Sequence, residues 1–290
     1  QPVVSSQNAI ASREEERQKA NGKNQKAKVE ANFPASSPQS PTPNLVGRDS
    51  ELAQLHNLLA KALGGERQFV FVTGEPGIGK TALVETFLPQ IDARGSISAR
   101  GQCLEHYGVG EAYLPVFEAF GRLGRESGRE RLVQVLGQYA PTWLAQMPAL
   151  ISSEDRQQLQ RELLGATPER MLREMSEAIE ALTAQTPLVL VLEDLHWSDY
   201  ATLDLLAALA RRRESARLLV IGTYRPVDII VSGHPLRGLK QELQGHRQCE
   251  EIPLNLLTTE EVGIYLNSRL PGGDFSTEFV KAIHERTDGN

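Results

Sequence analysis

The chain is poor in cysteine: Cys103 and Cys249 stand alone among 290 residues. They form no C-x-x-C pair and no zinc spacing, which excludes a disulfide scaffold and points to a reducing, cytoplasmic compartment. No apolar run approaches the length of a membrane span. The polar N-terminal residues carry no signal-peptide pattern. Positive charge is not in excess, since 31 Lys and Arg face 37 Asp and Glu for a net charge of −6. That excludes a chain-wide grip on nucleic acid and leaves room only for a local basic patch. None of the 6 histidines joins a metal or nucleophile cluster. No internal repeat is present. What remains is 40% hydrophobic and 23% charged residues, the composition of a soluble globular protein with a real core. The length allows one large or two ordinary domains.

The first 43 residues are expected to be a disordered linker. Arg13 to Lys19 is a mixed charge run, and Phe33 to Pro43 is rich in Pro and Ser. Such a segment buries too little apolar surface to offset the cost of ordering it. The linker, the start at Gln1 and the stop at Asn290 directly after a helical pattern give the expectation of a piece of a longer protein, with covalently linked domains on both sides.

Residues Gly74-Glu75-Pro76-Gly77-Ile78-Gly79-Lys80-Thr81 fit the pattern G-x-x-x-x-G-K-[ST] at every fixed position. Each residue type answers a need of a nucleoside triphosphate. Gly74, Gly77 and Gly79 lack a Cβ, so the backbone can turn left-handed and approach an anion closely. Successive N–H groups then wrap the phosphates, from Gly74 through Ala82. Lys80 is expected on the β- and γ-phosphates, and the Thr81 hydroxyl on Mg²⁺. The flanks agree. Gln68 to Thr73 reads as a buried strand, and Thr81 to Leu88 has apolar residues at helical spacing. A Gly-rich turn with a chance lysine would not come with that context.

The core is expected to start near Asn44, with Asp49 or Ser50 capping a helix through Leu63. Ser96 to Ala99 reads as a short second strand, and residues 102–166 as a helical insertion. Thr167-Pro168-Glu169 is a helix start. Pro187 to Leu192 is the most apolar stretch, as expected of a parallel strand covered on both faces. Ser198 or Asp199 caps the next helix. Arg217 to Tyr224 and Glu251 to Leu254 supply two more strands. Thr258 and Glu261 form a capping box at the start of a helical segment. The expected organisation is an α/β domain over 44–255 and a lid-like helical domain over 256–290, truncated.

Glu193 and Asp194 close the most apolar strand. In an open parallel sheet that edge faces the ligand. One acid would organise the metal and the other would polarise the attacking water. Which does which is left open. Arg225 ends the following strand, where a guanidinium can touch the γ-phosphate; a structural salt bridge is the competing reading. His196 and Trp197 are read as packing residues.

Leu45 to Leu52, the glycine loop, Leu190 to Asp199 and Gly222 to Arg225 together resemble the STAND ATPases, signal-transduction relatives of the AAA+ proteins. The stretch Gly101 to Pro115 is similar to a segment of such modules in large bacterial regulators. Arg286 to Asn290 resembles the start of their T-x-G-N-P motif. The resemblance implies a three-layer P-loop NTPase fold with sheet order 5-1-4-3-2. It places Val46, Gly47 and Arg48 against the adenine and ribose. Glu193 aligns with the Mg²⁺-handling acid, often Asp in relatives, Asp194 with the general base, and Arg225 with the sensor arginine. The implied ligands are ATP or ADP and Mg²⁺.

The expected function is a slowly hydrolysing nucleotide switch of a signalling or transcription-regulatory protein, able to assemble through this domain. Arg211, Arg212, Arg213 and Arg237 are all candidates for an arginine finger. A non-hydrolysing ADP-bound scaffold is the first alternative. A DNA-loading ATPase of the replication-initiator type is disfavoured by the acidic balance. A small-molecule kinase is disfavoured by the paired acids on a late strand.

Overall fold

A computed structural model describes residues 45–92, 95–105, 111–126, 128–162, 167–270 and 272–290. The expected linker over 1–43 lies outside them. In chain order the elements are α1 (Asp49–Leu63), β1 (Gln68–Thr73), α2 (Lys80–Asp92), β2 (Ile97–Gln102), α3 (Leu114–Glu126), α4 (Arg129–Tyr139), α5 (Pro141–Leu144), α6 (Ser153–Glu162), α7 (Pro168–Thr183), β3 (Leu188–Glu193), α8 (Tyr200–Arg211), β4 (Leu218–Tyr224), α9 (Pro226–Val231), α10 (Leu236–Gly245), β5 (Glu250–Pro253), α11 (Thr259–Arg269) and α12 (Thr277–Thr287). The strands form one parallel sheet in the order β2-β3-β4-β1-β5. Read from the other edge, this is the expected 5-1-4-3-2.

Strand periodicity sorts the core into two layers. Phe69, Phe71, Leu188, Leu190, Leu192, Leu218 and Val220 point to one face. Val70, Val72, Val189, Val191, Leu219 and Ile221 point to the other. The second face is covered by Leu55, Leu58 and Leu59 of α1 and Leu83, Val84 and Phe87 of α2. The first is covered by residues of α3, α4, α7, α8 and α10. The helices between β2 and β3 therefore form one wall of the main core. Trp143 anchors them: it is fully buried, its indole N–H donates to Met171 O at 2.9 Å, and Tyr113 and Phe117 pack on its ring. Each such buried side chain contributes roughly 1.5–3 kcal/mol.

Two local expectations shift and one alternative is resolved. The second strand starts at Ile97 and runs through Gln102, not from Ser96 to Ala99, because it pairs in register with β3 from Ile97↔Leu188 to Gln102↔Glu193. Arg48 is the N-cap of α1 without a side-chain bond, so neither Asp49 nor Ser50 caps it. Asp199, not Ser198, caps α8 by accepting from Thr202 N–H. The capping box of Thr258 and Glu261 opens α11 as read from the sequence. Pro253 ends β5, an edge strand, where no ladder donor is missed.

Candidate functional site

The loop after β1 leads into α2, so the helix N-terminus faces the turn. Gly77 and Gly79 take φ of +82° and +100°, which L side chains rarely adopt. The Lys80 ammonium reaches back and donates to Gly74 O and Glu75 O, each at 2.8 Å. Burial lowers its pKa, helped by the charge of Arg225 and opposed by Asp194 and Asp228. Lys80 is thus held in the loop with its charge set among fixed dipoles.

Beyond the carboxyl ends of the strands, the residues singled out by the sequence converge. The Thr81 hydroxyl donates to Glu193 Oε2 at 2.9 Å. Glu193 Oε1 accepts from Arg100 Nε of β2, and the same guanidinium lies 3.4 Å from Glu85 on α2. The Glu193 side chain is almost fully buried. Asp194 differs in every respect. Its backbone is left-handed (φ 56°, ψ 43°), its N–H donates to Thr223 Oγ1 at 3.0 Å, and Oδ2 accepts from Gln102 Nε2 at 3.2 Å. That turn takes Asp194 out of the strand's alternation and leaves its carboxylate more exposed than that of Glu193. Non-glycine residues at such angles cost about 1–3 kcal/mol and gather at functional sites.

Thr81 and Glu193 present hard oxygen atoms beside the phosphate loop, which suits Mg²⁺. No group of three or more His, Cys, Asp or Glu among the described residues could hold a metal. Mg²⁺ needs none when phosphates and water complete its octahedron.

Arg225 follows β4. Its guanidinium lies over the Trp197 ring, 5.3 Å from the centroid, and 3.5 Å from Asp228 Oδ2. His196 is fully buried against Trp197, with ring centroids 4.5 Å apart. Neither of its ring nitrogens makes a hydrogen bond; Asp228 Oδ2 lies 3.4 Å from Nε2 and Asp194 Oδ1 4.0 Å from Nδ1. Burial pushes its pKa below the ordinary value.

A cavity of about 370 Å³ adjoins the loop, lined by Val46, Ile78, Gly79 and Ala82 on one side and by Tyr265 and Leu266 of α11 on the other. Its walls are mostly apolar, as an adenine ring needs. Gly47, at φ +68°, lets the chain pass Glu261 so closely that a Cβ would lie 2.3 Å from its Oε1. Arg48 also lines this cavity, but its guanidinium donates to Ile78 O at 3.2 Å and Asn255 O at 2.7 Å and pairs with Glu51. It joins the glycine loop to the segment leaving β5. Asn290 Nδ2 donates to Pro76 O at 3.0 Å, tying the end of the described chain to the same loop.

Four neighbours of the site went unread in the sequence: Arg100, Gln102, Asp228 and Asn290 as a loop partner. The first two come from β2, and only its register against β3 reveals them. Arg211 and Arg212 are held by Glu242 and Glu180, while Arg213 and Arg237 are exposed. The Cys103 thiol is buried and its pKa raised, so it is not an activated nucleophile. No helix among the described residues is long and apolar enough to cross a membrane.

Residues 44–221 match the AAA ATPase domain family. An uncharacterized protein of Rhizobium meliloti (strain 1021) is 26% identical over 190 residues, which is 63% of this chain and 18% of that protein. The chain therefore spans under a fifth of that relative's length. Among solved structures, a Walker-type ATPase of Pyrococcus abyssi is similar over 88% of this chain and 67% of its own, at 14% identity and a TM-score of 0.47. The ORC1 protein of Aeropyrum pernix in complex with DNA is similar over 84% and 56%, at 17% identity and 0.45. A RuvB variant of Thermotoga maritima is similar over 84% and 58%, at 14% identity and 0.41.

Proposed function

The chain belongs to the AAA ATPase domain family, and we propose that it is a Mg²⁺-dependent nucleotide switch that binds ATP and hydrolyses it slowly. The larger protein it serves is a signalling or transcription regulator of the STAND class. The observation that carries this reading is the convergence of Lys80, Thr81, Glu193 and Asp194 at the carboxyl ends of the strands.

Lys80 leaves the carbonyls of Gly74 and Glu75 for the β- and γ-phosphates, exchanging two neutral acceptors for charged ones. Thr81 and Glu193 would hold Mg²⁺, which supplies charge neutralisation at the phosphates when bound. Asp194, the more exposed acid, orients the attacking water and accepts its proton. Gln102 and the Thr223 hydroxyl fix it. Arg225 senses the γ-phosphate by leaving Asp228 for it. The adenine enters the cavity between Val46 and Tyr265, so the helical segment over 256–290 acts as a lid. Nucleotide moves that lid only by its differential affinity for the two placements. Arg213 and Arg237, exposed and apart from the ion pairs that hold Arg211 and Arg212, are the candidates for action in trans on a second copy.

Fluorescent ATP binding and phosphate release test this. Lys80→Ala is expected to lose binding, and Asp194→Asn to keep binding but lose at least about 100-fold in hydrolysis. Unchanged ATP affinity in Lys80→Ala would overturn the reading. Binding without turnover that Asp194→Asn removes would leave an ADP-holding scaffold instead.

A further inference from the structure

The contact between Arg100 and Glu193 joins side chains of neighbouring strands, in addition to the backbone pairing of β2 with β3. Arg100 lies inside β2, opposite Val191, and its side chain extends along the strand to the end of β3. There it meets a carboxylate that is nearly fully buried and whose second oxygen accepts from Thr81. A buried carboxylate with two free oxygens could bind a metal shell through either or both of them. Here Arg100 occupies Oε1, so Oε2 is the oxygen that faces Thr81.

We propose that Arg100 is a positioning residue for the metal-organising carboxylate: it holds Glu193 Oε1 so that only Oε2 is presented beside the Thr81 hydroxyl. The inference rests on the nucleotide reading above and adds to it a residue outside the P-loop and the acid pair. Three features carry it. Glu85 on α2 flanks the guanidinium at 3.4 Å, so Arg100 is itself oriented by the helix that bears Thr81. Glu193 spans from Arg100 to Thr81, a reach that a side chain shorter by one carbon–carbon bond, roughly 1.5 Å, would lose at one end. The guanidinium is planar and forked, so it can face Glu193 and Glu85 together, which an ammonium cannot do with the same geometry.

A positioning role and a mere charge effect predict opposite signs. A cation beside a divalent metal repels it, so a guanidinium acting only as charge would weaken Mg²⁺ binding and its removal would tighten it. A guanidinium that orients the carboxylate strengthens binding, and its removal weakens it. Groups that orient metal ligands are typically worth 10–100-fold in metal affinity.

The test uses the whole 290-residue chain and a fluorescent ADP, titrated with Mg²⁺ and separately in EDTA. Arg100→Gln is expected to raise the Mg²⁺ half-saturation by about tenfold, with the Mg²⁺-free ADP affinity unchanged. Glu193→Asp is expected to raise the Mg²⁺ half-saturation as well, because Asp cannot keep both contacts. The double variant is expected to be no worse than either single, since both remove one interaction. Arg100→Lys is expected to give a smaller loss and serves if Arg100→Gln does not fold. Tighter Mg²⁺ binding, no change, or additive losses in the double variant would overturn the proposal. If wild-type chain binds no ADP at all, the nucleotide reading fails first; if it binds ADP with normal Mg²⁺ dependence and the cycle is additive, only the role of Arg100 fails.

Discussion

Two neighbouring acids in one strand end do unlike things because one residue changes backbone hand. Glu193 keeps strand geometry and turns into the sheet, while Asp194 enters the left-handed region and turns outward. The same turn buries His196, which faces Asp194, Arg225, Asp228 and Lys80. Its pKa is depressed by burial, whereas in the unfolded chain it titrates near 6.5. Below that pH the unfolded state binds a proton that the folded state refuses, so stability falls on acidification. His234 is depressed in the same direction. His196→Asn is therefore expected to show a shallower loss of urea midpoint between about pH 7 and pH 5.5 than the wild type. An unchanged slope would refute the assignment. The sequence supplied Lys80 and Thr81 through a spacing rule, because phosphate cradles demand glycines at fixed steps, and the two acids through their place at the end of the most apolar strand. It left their roles open, because chain order does not record which acid is buried.

Elements were legible where their signals are local. The capping box before α11 and the Thr-Pro-Glu start of α7 stand where the sequence puts them, since a cap is satisfied within four residues. β2 was cut short at Ala99 because Gly101 reads as a boundary. In the structure Gly101 is inside the strand, and an added Cβ would lie 1.8 Å from Pro115 O of α3. The glycine is there to admit the helix, not to end the strand. Gly101→Ala is expected to cost about 3 kcal/mol or more by pushing α3 off the sheet. Chemical denaturation measures it, and a cost under about 1 kcal/mol would show that the helix yields without loss. The same displacement shifts Gln102 and Arg100, so the variant is also expected to weaken the hold on both acids.

Across the whole molecule, a few polar contacts tie distant segments to the glycine loop. Arg48 joins Ile78 O to Asn255 O beyond β5, and Asn290 bonds to Pro76 O from the end of the helical segment, while His284 bonds to Leu257 O within that segment. Arg48→Ala strands the buried Glu51 without its cation, which typically costs 3–5 kcal/mol for a buried pair. It is expected to lower stability by about 3 kcal/mol and to speed nucleotide release, read by urea titration and by stopped-flow dissociation of a fluorescent ADP. Unaltered release would mean that Arg48 does not help to hold the nucleotide. The sequence by itself determined the P-loop, the alternation that builds a two-faced parallel sheet, and the adjacency of Glu193 and Asp194. Each is written in spacings of a few residues, where chain geometry fixes the neighbours. Only the tertiary structure decided that Arg100 meets Glu193 across 93 positions and that Arg48 meets Asn255 across 207. Nothing in a local pattern says which cation will reach which distant oxygen; strand register and helix packing do.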